Sequence, residues 1–476
     1  MKKIKLFLEN FLIYGFGGII SKLIPLIMVP VITRIMPNSE YFGIYDLSNT
    51  VVSLCSSLAI MGMYDSMYRL FFEKEEEAFK QEICSTAFLF TLGTSVLVFA
   101  VMVLCRKAIA IWFLNDEKLS YLVYFQAMAT LIGATNGILS APTRMQNKRR
   151  VFLVMNTVIP LISYGIAIPM LLRGYYIIAL PLAGLLSATA NEMVFAALNR
   201  KWFSPRKFRW IHVKPLLAIA IPLFPNFVIY WLYNSSDRLM ITNLAGIGDA
   251  GLYAVGSKLG QASQLIYTAF AGGWQYFAFS TMKEGDQVKT NSLVFEYLGV
   301  ISFLSSFFIC ALAGLIYRIL FVGEYVNSYI VSPYLFLAPL LQMLYQVAGN
   351  QFLVIKKTWP SMVILLGGAI ANVALNFILI PRIGIEGAAI ATVSGYIITD
   401  IVCVWALCRM KLMIMRRNFL YASLFTAAFF VLWRTMAVRD TGRGLILAMV
   451  FSGILISLYR KDLQDFWSRF RTADGR

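Results

Sequence analysis

Ile83–Leu104 reads ICSTAFLFTLGTSVLVFAVMVL and carries no charged residue. A helix rising about 1.5 Å per residue needs roughly 20 such residues to cross the ~30 Å hydrocarbon core of a bilayer. Comparable stretches flank it: Phe11–Val31, Val51–Met63 and Tyr121–Ala141, with the pattern continuing to Leu445–Tyr459. Working outward, spans are expected near 10–34, 42–64, 83–105, 121–141, 151–172, 175–198, 216–242, 250–272, 292–316, 331–353, 360–380, 386–407, 418–437 and 442–459. The expected fold is therefore an all-α polytopic membrane protein with about fourteen transmembrane helices.

The composition agrees: 59% of residues are hydrophobic and 14% charged, which excludes an ordinary soluble domain. The longest polar stretches, around Asp65–Glu82, Asn199–Lys214 and Arg460–Arg476, are too short for an extramembrane domain. Cys55, Cys84, Cys105, Cys310, Cys403 and Cys408 lie in or beside apolar stretches without metal-ligand spacing. They read as small apolar residues, and no metal site is expected. The single histidine, His212, sits in a basic loop and reads as a loop residue. Met1-Lys2-Lys3-Ile4-Lys5 resembles the start of a signal peptide. The apolar run after it is too long, contains Lys22, Pro25 and Pro30, and lacks a small-residue cleavage site, so a retained first helix is expected.

Most of the 42 lysines and arginines fall in segments that share a side with the N-terminus. The positive-inside rule then places both termini in the cytoplasm. Much of the net charge of +18 is topogenic and faces anionic lipid headgroups rather than nucleic acid.

The two halves resemble each other at an offset of about 208–212 residues. Phe42-Gly43-Ile44-Tyr45 corresponds to Ala250-Gly251-Leu252-Tyr253, and Ile168-Pro169 to Ile380-Pro381. Gly174 and Gly384 follow at similar distances. A repeat with an even number of spans returns the chain to its starting side, so two six-helix lobes related by a pseudo-two-fold along the membrane normal are expected. The expected division is 1–198 for the first lobe, 199–214 for a basic cytoplasmic linker, 215–411 for the second lobe, and 412–476 for two extra helices and a tail. The linker's alternation of basic and aromatic residues suits an interfacial segment as well as a plain inside loop.

Four segments carry a family resemblance. Asn10-Phe11-Leu12-Ile13-Tyr14-Gly15, running through Ser21-Lys22 to Pro30 and Thr33-Arg34, is one; Glu40-Tyr41-Phe42-Gly43-Ile44-Tyr45-Asp46-Leu47 is the second. Ser236-Asp237-Arg238-Leu239-Met240-Ile241 with Gly251-Leu252-Tyr253 is the third. Leu379 to Thr392, LIPRIGIEGAAIAT, is the most specific. Together they resemble the polysaccharide flippases of the multidrug/oligosaccharidyl-lipid/polysaccharide (MOP) exporter superfamily. The resemblance implies two six-helix lobes around a central cavity. It also implies a polyprenyl-pyrophosphate-linked oligosaccharide substrate, moved to the outer leaflet by alternating access for surface polysaccharide such as O-antigen, capsule or exopolysaccharide. The setting would be a bacterial or archaeal cytoplasmic membrane, with other polysaccharide assembly proteins as possible partners. Lipid II flippases and small-molecule exporters of the superfamily are the alternatives. A membrane-embedded polymerase or ligase is disfavoured, because the outer loops are short and no paired carboxylates or histidine-based nucleophile constellation is present. No catalytic residue and no enzyme activity are expected.

The charges inside the spans give an independent reading. A charge at mid-bilayer costs about 2.5–3.5 kcal/mol on insertion scales, so it should face a wet cavity, a partner or a ligand. Lys22 and Lys258 fall near mid-depth, Arg238 and Arg34 nearer the outer ends of their spans. These four are the candidate contacts for an anionic substrate, although each could instead join an ion pair or snorkel to an interface. Asp237, Glu192 and Asp400 are candidate ion-coupling or ion-pairing acids, with H+ or Na+ as the coupling ion and no other cofactor expected. Pro25, Pro30, Pro222 and Pro225 interrupt the first span of each repeat and are candidate hinges.

Overall fold

The computed structural model describes residues 23–146, 148–280, 285–355, 357, 359–462 and 464. The described chain is nearly all helical, with no strand. In chain order the helices are α1 (Leu23–Ile35), α2 (Ser39–Ile60), α3 (Met63–Phe71), α4 (Glu77–Leu104), α5 (Arg106–Leu114), α6 (Leu122–Met145), α7 (Arg149–Leu172) and α8 (Ala179–Leu198). Then come α9 (Trp210–Leu244), α10 (Ile247–Ser280), α11 (Gln287–Leu320), α12 (Ser332–Val354), α13 (Trp359–Ile383), α14 (Ile385–Arg409), α15 (Arg417–Leu432) and α16 (Thr441–Leu458).

Among the described residues ten helices are long and apolar enough to cross a membrane, or up to twelve if each of two bent pairs is one span. The fourteen expected from the sequence are therefore not all reached. Two places account for the difference. Only Leu23–Ile35 of the first expected span is described, and it is short. The eighth expected span is fully helical as the 34-residue α10, but glycine, serine, glutamine and Lys258 dilute its apolar character.

One bent pair is α2 and α3, which meet at 45°. Met61 (φ 48°) and Gly62 (φ 75°) adopt left-handed backbone conformations that stop α2 and restart the chain as α3. Gly62 also lies against α9: a methyl group there would come within 2.9 Å of the Ala220 carbonyl oxygen. The other bend, again 45°, separates the helical turn Gly323–Ile330 from α12. Pro222 and Pro225 lie within α9, which continues as one helix through both.

The chain divides into two compact units. The first comprises Met1–Val255 and Val373–Ala388, the second Gly256–Asn372 and Ala389–Arg476. In the first unit, Met63, Met67, Leu70 and Phe71 of α3 pack with Ile83, Cys84 and Ala87 of α4, Ile138 and Ala141 of α6, and Leu216 of α9. Trp202 of the basic linker completes this cluster and meets Phe71 edge to face at 5.2 Å. The linker is thus docked. Ser85 Oγ donates to the Trp202 carbonyl at 3.2 Å, Ser204 N–H donates to Ser85 Oγ at 3.0 Å, and Arg209 N–H donates to Thr86 Oγ1 at 3.1 Å. Along the same edge of α4, Lys201 pairs with Glu77 at 3.3 Å, while Arg209 and His212 meet Glu82 at 3.2 and 3.0 Å. The serines and acids of Glu77–Thr86 serve as the receptor for the basic linker.

In the second unit, α15 and α16 are fastened to α11. Phe307 of α11 meets Phe429 of α15 with ring centroids 4.2 Å apart, and Phe429 meets Phe451 of α16 at 5.5 Å. Nearer the chain's end, the buried Glu296 of α11 accepts from Arg416 Nε and from the Tyr459 hydroxyl, both at 2.6 Å. Arg416 also reaches Asp462 at 2.9 Å. Burial opposes the charge on Arg416, but Glu296 and Asp462 more than offset this and hold it firmly protonated. Burial, reinforced by the bond to Glu296, pushes the Tyr459 hydroxyl up from its ordinary range.

Candidate functional site

The first unit brings together residues that are distant in the sequence. Asp46 of α2, Asp237 and Arg238 of α9, and Tyr253 of α10 form one cluster. Arg238 Nε donates to Asp46 Oδ2 at 2.6 Å, and its guanidinium lies 3.7 Å from Asp237 Oδ1. Tyr253 Oη donates to Asp237 Oδ2, and Arg238 also donates to the Asn234 carbonyl. The Arg238, Asp46 and Asp237 side chains are 15%, 12% and 5% exposed. Adjacent helical residues point in different directions. Accordingly Arg238 takes its close contact from α2 while Asp237 takes its own from α10.

A glycine contact positions the cluster. A methyl group on Gly43 would come within 3.1 Å of Gly251 N, and one on Gly251 within 3.0 Å of Gly43 N. The latter would also overlap the Ser39 carbonyl, and the former the Ile247 carbonyl. Only side chains without a Cβ let α2 and α10 approach so closely. These are the two glycines that the sequence comparison of the halves aligned, and they lie against each other.

The remaining predicted residues are dispersed. Lys22 lies outside the described residues. Arg34 is exposed near the end of α1. Lys258 is half-buried, eleven residues into α10, about 17 Å along the helix. Glu192 accepts a hydrogen bond from Thr135 Oγ1 at 2.5 Å. Asp400 is buried, and neither carboxylate oxygen has a hydrogen-bond partner. Pro25 and Pro30 fall within α1.

A polar cavity of about 260 Å³, not recognised from the sequence, lies in the first unit between α6, α7 and α8. Asn136, Ser140, Arg144, Asn156 and Asn191 line it. The amide oxygens of Asn136 and Asn191 are buried without a partner, and the Arg144 guanidinium sits over the Phe152 ring at 4.6 Å. Amides and a guanidinium give it hydrogen-bonding capacity for hydroxyl- or phosphate-bearing groups. The usable sequence signal was asparagine at several depths in otherwise apolar spans. Among the described residues, no group of three or more His, Cys, Asp or Glu could hold a metal ion.

Many long apolar helices with paired charges inside them define the class: a multi-pass membrane protein. Solved structures agree on the fold. A lipid II flippase, MurJ, in an inward closed conformation matches with a TM-score of 0.72 at 15% identity, covering 95% of this chain and 99% of that one. A multidrug resistance MATE family transporter of the MOP superfamily, inward-facing, matches at TM-score 0.62 and 13% identity, covering 83% and 98%. A MOP superfamily transporter from Pyrococcus furiosus matches at TM-score 0.61 and 14% identity, covering 85% and 95%. No curated protein sequence matches the chain. Residues 7–283, more than half of the chain, match the family described as polysaccharide biosynthesis protein, and the chain belongs to that family. The family match agrees with the resemblance seen in its motifs, and the fold is similar to those of the MurJ and MATE structures.

Proposed function

We propose that this transporter flips polyprenyl-pyrophosphate-linked oligosaccharide units from the cytoplasmic to the outer leaflet for surface polysaccharide synthesis. Membership of the polysaccharide biosynthesis family carries this reading. The physical requirement is a path for about two negative charges through a low-dielectric interior, which cationic groups at mid-depth would ease. Lys22 and Lys258, at mid-depth by the sequence reading, would serve in that role, with Arg34 nearer the outer end of its span. Arg238, held between Asp46 and Asp237, would contribute as a hydrogen-bond donor rather than as net positive charge, since two carboxylates face one guanidinium. The protein acts as a transporter rather than an enzyme, by alternating access between the two six-helix repeats, with Pro25, Pro30, Pro222 and Pro225 easing helix bending. It resides in the cytoplasmic membrane with both termini inside, against anionic lipids and other polysaccharide assembly proteins. Glu192 or Asp237 would engage the coupling ion, H+ or Na+. Transport of lipid II is the second reading, favoured by the likeness to MurJ along 95% of the chain.

Alanine at Lys22 or Lys258 should abolish or strongly reduce export of surface polysaccharide while membrane abundance stays normal. Arginine should be tolerated better than glutamine, because charge is the needed property. Wild-type export by both alanine variants at normal abundance would refute the cationic path. Rescue of cells depleted of their lipid II flippase, without any effect on surface polysaccharide, would select the second reading.

A further inference from the structure

Asp400 of α14 is 8% exposed, and among the described residues neither of its carboxylate oxygens has a hydrogen-bond partner. It lines a chamber of about 780 Å³ inside the second unit, between α11, α12, α14 and α15. Phe303, Tyr334, Phe419 and Phe430 supply aromatic walls, and among the described residues no lysine, arginine or histidine lines the space. Two of the lining hydroxyls are already committed, since Ser423 and Thr426 donate to the Phe419 and Ala422 carbonyls of their own helix. A lone ionised carboxylate in such surroundings is costly unless it takes up a proton or a cation joins it. Two of the chamber's lining residues, Ile401 of α14 and Leu424 of α15, are 62% and 59% exposed on helices apolar enough to cross a membrane, so an occupant passing between them would come from the bilayer. The lining runs from Ile390 to Trp405 along α14, about 22 Å at the helical rise, so the space is long as well as apolar.

We infer that this chamber binds a single-chain cationic amphiphile from the membrane. Its ammonium pairs with Asp400, and its hydrocarbon chain lies against the aromatic walls. Aromatic faces attract the same cationic group that the carboxylate does. A hard metal ion would need several oxygen ligands, which one carboxylate among apolar side chains does not supply. The site is of opposite sign to the one proposed for the anionic substrate and does not depend on that reading.

The test uses the full-length protein in non-ionic detergent with an alkyl trimethylammonium probe bearing a diazirine, and labelled peptides are identified by mass spectrometry. Labels are expected within Ile397–Trp405 and Leu420–Val431. Dodecyltrimethylammonium should compete, whereas dodecanol and dodecyl sulfate should not. Asp400→Asn should lower labelling at least about tenfold, the equivalent of 1.4 kcal/mol, and Asp400→Glu should retain it. Equal labelling of the Asn variant and the wild type would overturn the inference, as a neutral, protonated Asp400 in the wild type would produce. Absence of label from both segments would overturn it too. If Asp400→Asn is not monodisperse on gel filtration, wild type alone decides: a neutral diazirine probe of the same length that labels as well as the cationic one refutes the assignment.

Discussion

Replacing Asp46 with asparagine would test whether the charge cluster braces α2 against α9. Arg238 would lose its 2.6 Å partner and keep only Asp237, 3.7 Å away and already bound by Tyr253. Removing one partner of a buried pair costs about 3–5 kcal/mol, because the other charge is left uncompensated. Asp237 retains part of the compensation, so the loss should fall near the lower limit, about 3 kcal/mol. Reversible unfolding in mixed micelles of increasing sodium dodecyl sulfate would measure it. A double-mutant cycle with Arg238→Gln separates the pair from its surroundings. The double variant should be less destabilised than the sum of the single ones, with a coupling of about 2 kcal/mol. A coupling below about 0.5 kcal/mol would show that the contact contributes no more than an exposed ion pair, and the bracing argument would fail.

Two further substitutions probe features that hold each unit together. Glu296→Gln should destabilise the protein by about 2 kcal/mol, because Arg416 loses its closest partner but keeps Asp462 and the bond from Tyr459 weakens, and limited proteolysis should then cut faster between α14 and α15; an unchanged digestion rate would count against the clamp. Gly251→Ala should reduce folded yield more than Gly93→Ala, since only the former would push a methyl group into neighbouring backbone. Comparable monodisperse yields for the two variants would contradict the close packing of α2 on α10.

The sequence made the helices legible because a bilayer demands long apolar segments, and Ile83–Leu104 alone carries that signal. Limits of the spans were less legible. α9 extends from Trp210 to Leu244, well beyond 216–242, because helices continue past the hydrocarbon boundary wherever caps and packing allow. The Asp46–Arg238 contact was half visible. Arg238 stood out as a charge in an apolar span, and both residues lay in the motifs that carry the family resemblance. Their pairing depends on helix rotation and long-range packing, which a single sequence does not encode in any local period. The polar cavity beside Asn136 and Asn191 escaped notice for a related reason: uncharged amides are common in membrane helices, and nothing local marks two of them as facing the same space.

The docked linker bears on how the protein is made. Chains emerge from the ribosome at about 5–20 residues per second, and N-terminal portions fold first. Trp202 follows directly on the first eight helices and completes the cluster formed by α3, α4 and α6. Its receptor, the Glu77–Thr86 edge, has been synthesised well over a hundred residues earlier and is waiting for it. The first half can therefore close its inner end before most of the second half leaves the exit tunnel. That spares Met63, Phe71 and Leu216 a prolonged exposure to chaperones and proteases at the membrane surface. A lesion confined to Trp202 or Ser85 would then act as a defect of biogenesis, visible in pulse-chase turnover of newly made chains while mature protein remains long-lived.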